Sequence, residues 1–255
     1  MLQQVQIKLK CLRPGQLFGQ GGAELHAFFF RCLSQLDLEL AKLVHAQEIK
    51  PFAISPLKGS FEHQEGFTVL KENSPYYFTI STLTSSLSKV MPDLIDVMMS
   101  APIDLGTAGL EIEKSRLSYK NGLTYFKLMS KTVVQEKFNL FFLSPTCFRH
   151  DGNLHLLPLP SLIFNGLVKR WMYFSDIPIP VINTDHLQIL RYKLKTDSVL
   201  FNNYNLVGFK GNCQYGFVNE LAEIERWPFF ILLNFASIAG LGYKTTMGMG
   251  QVKVG

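Results

Sequence analysis

An α+β fold made of two similar units is what the 255-residue sequence predicts. Three observations carry this expectation: segments in which polar and apolar residues alternate, apolar runs of helical period between them, and a β-α-β-β-α-β order that occurs twice. The composition agrees. Apolar residues make up 47% of the chain and charged residues 18%, which fills a core and excludes a disordered tail protein.

The first strand is set by Val5-Gln-Ile-Lys-Leu-Lys, which alternates with period two until Pro14 and Gly15 turn the chain. Gly19, Gly21 and Gly22 then open an apolar run over residues 23–45, rich in Leu and Phe at helical spacing. Asp37 has the chemistry of an N-cap within that run, so two consecutive helices are expected, over 23–35 and 38–46. Residues 51–56 read as a short strand, 66–70 and 76–81 as a further pair, 84–99 as a helix and 110–119 as another alternating strand. In the second half, 123–132 and 138–143 are strand-like, 160–173 is helical, and 186–195 and 204–210 are strands. A last helix is expected to start near Pro228, at its first position, and to end at Gly240 before a closing strand over 251–254. Two βαββαβ units match a duplicated ferredoxin-like fold, the RRM-like split-βαβ arrangement used by many RNA binders. The expected domains are 1–120 and 121–255.

Several classes of protein are excluded by the same sequence. The longest apolar tract, over 227–242, is broken by Pro228, Asn234 and Ser237 and is shorter than the roughly 18 to 20 clean residues of a membrane span. The first ten residues alternate and lack the apolar block of a secretory signal. Cys11, Cys32, Cys147 and Cys213 are widely spaced and show no zinc-like pairing, so a reduced, cytoplasmic protein without metal or cofactor is expected. Charge is uneven. Residues 1–120 carry twelve Lys or Arg and twelve Asp or Glu, and residues 121–255 carry thirteen and eight, so the net charge of +5 belongs to the second half. After Glu225 no acidic residue appears, whereas Arg226, Lys244 and Lys253 do. That surplus suits a polyanion, or is simply a basic surface.

The segment 240–250 contains Gly240, Gly242, Gly248 and Gly250 between a helix and the terminal strand. Glycine admits positive φ and close backbone approach, so such a loop can form a phosphate nest, with Lys244 adding charge and Thr245 and Thr246 adding hydroxyls; the plainer reading is a tight turn. It is not a Walker loop, because Tyr243 precedes the lysine, and it follows a helix rather than a strand, unlike a dinucleotide fingerprint.

With Gln-Val-Lys-Val behind it, this glycine-rich segment resembles the C-terminal signature of the CRISPR-associated endoribonucleases that process repeat RNA, the Cas-six family. Leu25-His-Ala-Phe-Phe, Leu40-Ala-Lys-Leu-Val-His45, Lys50-Pro-Phe-Ala-Ile-Ser-Pro56, Ser144-Pro-Thr-Cys-Phe148 and Leu157-Pro-Leu-Pro160 leading to Lys169-Arg-Trp171 are similar to the family in the same order. The resemblance implies tandem ferredoxin-like domains and metal-independent cleavage within the CRISPR repeat. It also implies retention of the guide RNA, in some members beside other subunits of an interference complex.

Cleavage without metal uses the 2′-hydroxyl as nucleophile and leaves a 2′,3′-cyclic phosphate and a 5′-hydroxyl. It needs a base, an acid, a cation for the phosphorane and an in-line RNA. His45 resembles the family's catalytic histidine, Lys50 the lysine that accompanies it, and His26 a partner acid or base. Each has a plainer alternative. His26 lies at helical spacing with Phe30 and Leu33 and could be a core histidine, and His45 could cap the end of its helix. Where some members carry a tyrosine, this chain has Phe28, Phe29 and Phe30. His150 and His155 read as a polar turn. Lys169 and Arg170 suit RNA contact or a solvated helix end, with Trp171 in the core. The expected partner is CRISPR repeat RNA. A non-cleaving repeat-RNA-binding subunit, or an enzyme holding a small phosphorylated ligand at the glycine-rich loop, are the competing functions.

Overall fold

The computed structural model describes residues 1–64, 67–100, 102–113, 118–201 and 203–255. They form two compact units. Unit 1 comprises Met1–Gly122, Val199–Leu206 and Thr246–Gly248, and unit 2 comprises Leu123–Ser198, Val207–Thr245 and Met249–Gly255.

Unit 1 begins with β1 (Leu2–Arg13), where Val5, Ile7, Leu9 and Cys11 are buried and Gln4, Gln6, Lys8 and Lys10 alternate with them. The short β2 (Gly15–Phe18) follows. Helix α1 (Gly22–Leu36) buries Leu25, Phe28, Phe29, Cys32 and Leu33, the stripe that a 3.6-residue period turns inward. Asp37 ends it and caps α2 (Leu38–Ala46): its Oδ1 accepts the Leu40 N–H at 2.9 Å. The chain continues through β3 (Phe52–Ile54), β4 (Lys58–Gly59), β5 (Glu62–Gln64), β6 (Phe67–Leu70), β7 (Pro75–Thr82), α3 (Ser85–Ser100), β8 (Ile103–Leu105), β9 (Ala108–Ile112) and β10 (Ser118–Leu123).

The main sheet has the order β3-β7-β1-β9-β8, and β1 pairs antiparallel with both β7 and β9. Leaving out the β8 edge, this is the second-third-first-fourth order of a ferredoxin-like unit. The expected strand over 66–70 appears as β6, with Gly66 outside the described residues. It pairs with β2 and β5 in a separate three-stranded sheet. The single strand expected over 110–119 is two: β9 ends at Ile112, β10 starts at Ser118, and residues 114–117 lie outside the described residues. What periodicity did not show is the hairpin that β9 makes with β8.

Unit 2 contains α4 (Tyr125–Ser130), β11 (Lys137–Thr146), β12 (Phe148–His150), β13 (Asn153–His155) and α5 (Pro160–Phe174). The long strands β14 (Leu187–Phe201) and β15 (Tyr204–Phe217) lead to α6 (Glu223–Ala239) and β16 (Val252–Val254). Its sheet order, β14-β15-β11-β16, repeats that of unit 1. Phe138 stacks on Tyr215 at 5.0 Å, and the Tyr215 hydroxyl donates to Pro158 O at 2.7 Å, so a buried phenol keeps a partner. Trp171 is fully buried and donates its indole N–H to Ile177 O at 2.8 Å.

Two expectations fail here for identifiable reasons. Most of the strand expected over 123–132 is the helix α4, because the Thr124 hydroxyl accepts the Lys127 N–H at 3.0 Å and buries Tyr125 and Leu128 on one face. The last helix starts at Glu223 rather than at Pro228. The Glu225 carboxylate accepts the Ala222 N–H at 2.9 Å and sets the start, and Pro228 sits inside, buried, forfeiting one helical hydrogen bond. Among the described residues no helix is long and apolar enough to cross a membrane.

The double role of Asp37 gives a stability test. Asp37→Ala should destabilise the chain by about 1 kcal/mol in urea unfolding, since the Leu40 N–H loses its acceptor. An unchanged midpoint would mean that packing alone holds α2.

Candidate active site

Helices α1 and α2 bring the two N-terminal histidines of the sequence reading against one side chain. Of the three successive phenylalanines, Phe28 and Phe29 are buried in the core and Phe30 is turned toward the histidines. The Phe30 ring meets His26 edge-on at 4.9 Å and His45 at 5.4 Å. His26 also lies over Phe52 of β3 at 5.9 Å. His26 is half-buried and His45 exposed, and a small hollow beside His45 is lined by Phe30, Ser34 and Lys42.

His26 is held by the backbone. Its Nδ1 lies 3.2 Å from Thr246 O, and because a carbonyl only accepts, Nδ1 carries the proton. The lone pair of the neutral ring is then on Nε2. Thr246 comes this close because Gly22, the first residue of α1, has no side chain: a Cβ there would stand 2.1 Å from Met247 O. The neighbouring Gly248, at φ 85°, donates its N–H to Ile54 O at 3.2 Å, which ties Thr246–Gly248 to β3.

Lys50 stands beside the other histidine, His45. Its ammonium donates to His45 O at 2.6 Å and to Gln47 O, the carbonyls at the end of α2. An ammonium has three N–H groups, so this arrangement closes the helix and leaves one donor to meet an anion.

The remainder of the glycine-rich segment lies in unit 2, and its glycines serve the protein's own backbone. Gly240, Leu241, Tyr243, Met249 and Gly250 donate their N–H groups to Ala236, Gly250, Cys147, Lys244 and Pro145 carbonyls. A Cβ on Gly250 would meet Leu241 O at 1.9 Å, and one on Gly242 would meet Cys147 O at 2.2 Å. With the Gly248 N–H also engaged, these six amides do not form a phosphate nest, and the segment's glycines are explained by self-packing. Thr245 is buried; Lys244 and Thr246 are partly exposed and Gly242 is exposed.

Lys169 is exposed on α5. Arg170 is turned inward instead: its guanidinium donates to Ala239 O at 2.6 Å and Gly240 O at 3.2 Å, and burial pushes its pKa down to about 10. It remains charged and caps the C-terminus of α6, so it is not available as an RNA contact. All four cysteines are buried free thiols, and burial pushes those of Cys32 and Cys147 up to about 11. They stay protonated near neutral pH. Among the described residues no group of three or more His, Cys, Asp or Glu is placed to hold a metal ion.

Two parts of this arrangement were missed in the sequence. The role of the Thr246 carbonyl carries no signal in side-chain chemistry. The spacing of His26 and Phe30 on one helix was legible, but not that Phe30 also meets His45 of α2.

Tandem ferredoxin-like units, a histidine pair on the first two helices and a glycine-rich segment before the last strand define a two-unit α+β class of fold. The family model for the CRISPR-associated endoribonuclease Cas6 matches residues 140–252, and the Cas6 N-terminal domain model matches residues 9–130. The chain belongs to the Cas6 family. It is 24% identical to a CRISPR-associated endoribonuclease Cas6 of Streptococcus thermophilus over 238 residues, covering 91% of this chain and 90% of that one. It is also 24% identical to a Cas6 of Mycobacterium tuberculosis, covering 91% and 71%. Among solved structures, Thermus thermophilus Cas6 superposes with a TM-score of 0.72 at 23% identity, covering 100% and 98% of the two chains. A Cas6 product complex superposes with a TM-score of 0.81 at 22% identity, covering both chains in full.

The close approach at Gly22 is open to a test in which two effects oppose. Gly22→Ala gains up to about 1 kcal/mol of helix propensity. It also forces a Cβ against Met247 O, so the net effect expected in urea unfolding is a loss. A more stable Gly22→Ala protein would show that Thr246–Gly248 is not held against α1.

Proposed function

We propose that this chain is an endoribonuclease that cuts within the repeat of CRISPR precursor transcripts without a metal ion, with unit 1 supplying the chemistry and unit 2 the grip on RNA. The observation that carries the reading is the His26–Phe30–His45 cluster, in which one imidazole has its tautomer set by Thr246 O. Family membership supplies the substrate class.

The fixed Nδ1–H leaves His26 Nε2 as the proton acceptor, which suits it to the 2′-hydroxyl. As that proton leaves, O2′ bonds to the adjacent phosphorus and the P–O5′ bond breaks. His45, an exposed imidazole, gives a proton to the departing O5′. The remaining N–H of Lys50 meets the charge that builds on the phosphorane oxygens. Lys169, Lys244 and the hydroxyl of Thr246 hold phosphates along the strand. The roles of Gly240, Gly242, Gly248, Gly250 and Thr245 are to shape the segment that carries Lys244 and Thr246. The products are a 2′,3′-cyclic phosphate and a 5′-hydroxyl, and the processed RNA stays with the protein as a guide.

The test is single-turnover cleavage of a labelled repeat in excess EDTA. Cleavage should persist, and His45→Ala should slow it by roughly 10² to 10⁴ with little change in affinity. A substrate whose O5′ is replaced by sulfur needs no acid, so it should restore most of the rate to His45→Ala and none to His26→Ala. A strict magnesium requirement, or cleavage of a repeat with 2′-deoxyribose at the cut, would refute the mechanism. A chain that binds the repeat and never cuts it would be the non-cleaving subunit.

A further inference from the structure

A cleft of about 580 Å³ in unit 2 takes no part in the chemistry above. One wall is a single face of α5, carrying Ser161, Leu162, Asn165 and Lys169, and the other is the β12–β13 hairpin with Arg149, His150 and His155. Residues 240–243 also line it. The lining includes cations and no carboxylate; Asp151 lies outside it, 3.4 Å from His150 Nε2. Within this lining the Tyr243 ring has the Arg149 guanidinium 5.7 Å from its centre, and the Lys244 ammonium lies 5.2 Å from it.

Gly166 lies on the same cleft wall. It lies inside a helix, where glycine is unfavourable relative to other residues. Close packing does not explain it, because a Cβ at this position would have nothing within 4 Å. The space it leaves belongs to the cleft. Its volume is in the range of small-molecule sites, and its chemistry has three parts that match a nucleotide. Leu159, Leu162 and Tyr243 offer apolar and aromatic surface to a base, Asn165 and Ser161 can pair with its edge, and Arg149 and Lys169 suit its phosphate.

We propose that this cleft receives one unpaired nucleotide of the bound RNA, and that Gly166 keeps it open. The inference rests on the RNA reading of the preceding subsection and assigns a site that the reading does not require. The measurement is the affinity of labelled repeat RNA at several salt concentrations. Gly166→Leu, which should fold because its Cβ meets nothing, is expected to bind about tenfold more weakly through loss of base stacking. Arg149→Ala should reduce the slope of log affinity against log salt by about 0.7 of a unit, one single-strand phosphate. Arg149→Ala with Asn165→Ala tests the same cleft should Gly166→Leu fail to fold.

A wild-type protein that binds the repeat, beside a folded Gly166→Leu and a double variant of undiminished affinity, would overturn the cleft and leave the RNA reading standing. A wild-type protein that binds no repeat RNA would overturn both. A free mononucleotide offers the same chemistry, so AMP is titrated alongside a ten-nucleotide single-stranded RNA. Binding of AMP as tight as that of the RNA would overturn the assignment to an RNA nucleotide.

Discussion

The close approach of Gly22 to the Met247 carbonyl is the constraint from which the geometry of unit 1's histidine site follows. Any other residue would place a Cβ 2.1 Å from that oxygen and push Thr246–Gly248 away from the start of α1. With the segment seated, Gly248 reaches Ile54 O and Thr246 O reaches His26 Nδ1. One carbonyl then decides which ring nitrogen carries the proton, and it comes from a position 220 residues further along the chain. The tautomer of a side chain is therefore set by backbone packing.

The second constraint is length. Helix α2 has nine residues, fewer than the roughly 12 to 15 at which an isolated helix becomes even marginal in water. It buries only Ala41 and Val44, so its ends matter. Asp37 satisfies an N–H at one end, and Lys50 satisfies the carbonyls of His45 and Gln47 at the other. The residue proposed to meet the phosphorane is thus also the residue that fixes the last turn from which His45 projects. An aromatic contact such as that of Phe30 with each imidazole adds about 0.5 to 1.5 kcal/mol, comparable to the cap. Two contributions of similar size hold His45, one through its backbone and one through its ring.

Both βαββαβ orders were legible because the core strands and helices have strict periods: β1 alternates over its buried residues, and α1 buries a stripe that begins at Leu25. Asp37 was legible as a cap because its chemistry is local. Helix α4 was not, since one hydroxyl at Thr124 outweighs a β-like composition, and neither was the start of α6, which Glu225 sets at Glu223, five residues before the expected Pro228. The histidines and Lys50 could be picked out by type and position. Their arrangement could not, because it depends on Thr246 O and on the empty space at Gly22, neither of which is a property of side-chain pattern. Arg170 shows the opposite error: a cation at a helix end looked solvated, and tertiary packing directed it onto the carbonyls of α6.

The glycine-rich segment illustrates how one pattern supports two physical readings that only contacts separate. Backbone N–H groups that face a ligand and N–H groups that face neighbouring carbonyls both require glycine, since both need positive φ and close approach. Here Gly240, Gly248 and Gly250 are buried and their N–H groups are engaged within the protein. The anion affinity of these three amides is thereby lost, and Lys244 remains the cation of the segment. Side-chain cations act through counterion release and backbone nests through fixed dipoles, so salt dependence separates the two. It follows that changes at these glycines act first on folding, and changes at the cations first on binding. A loss of RNA affinity in a glycine variant is interpretable only once its fold has been shown to be intact.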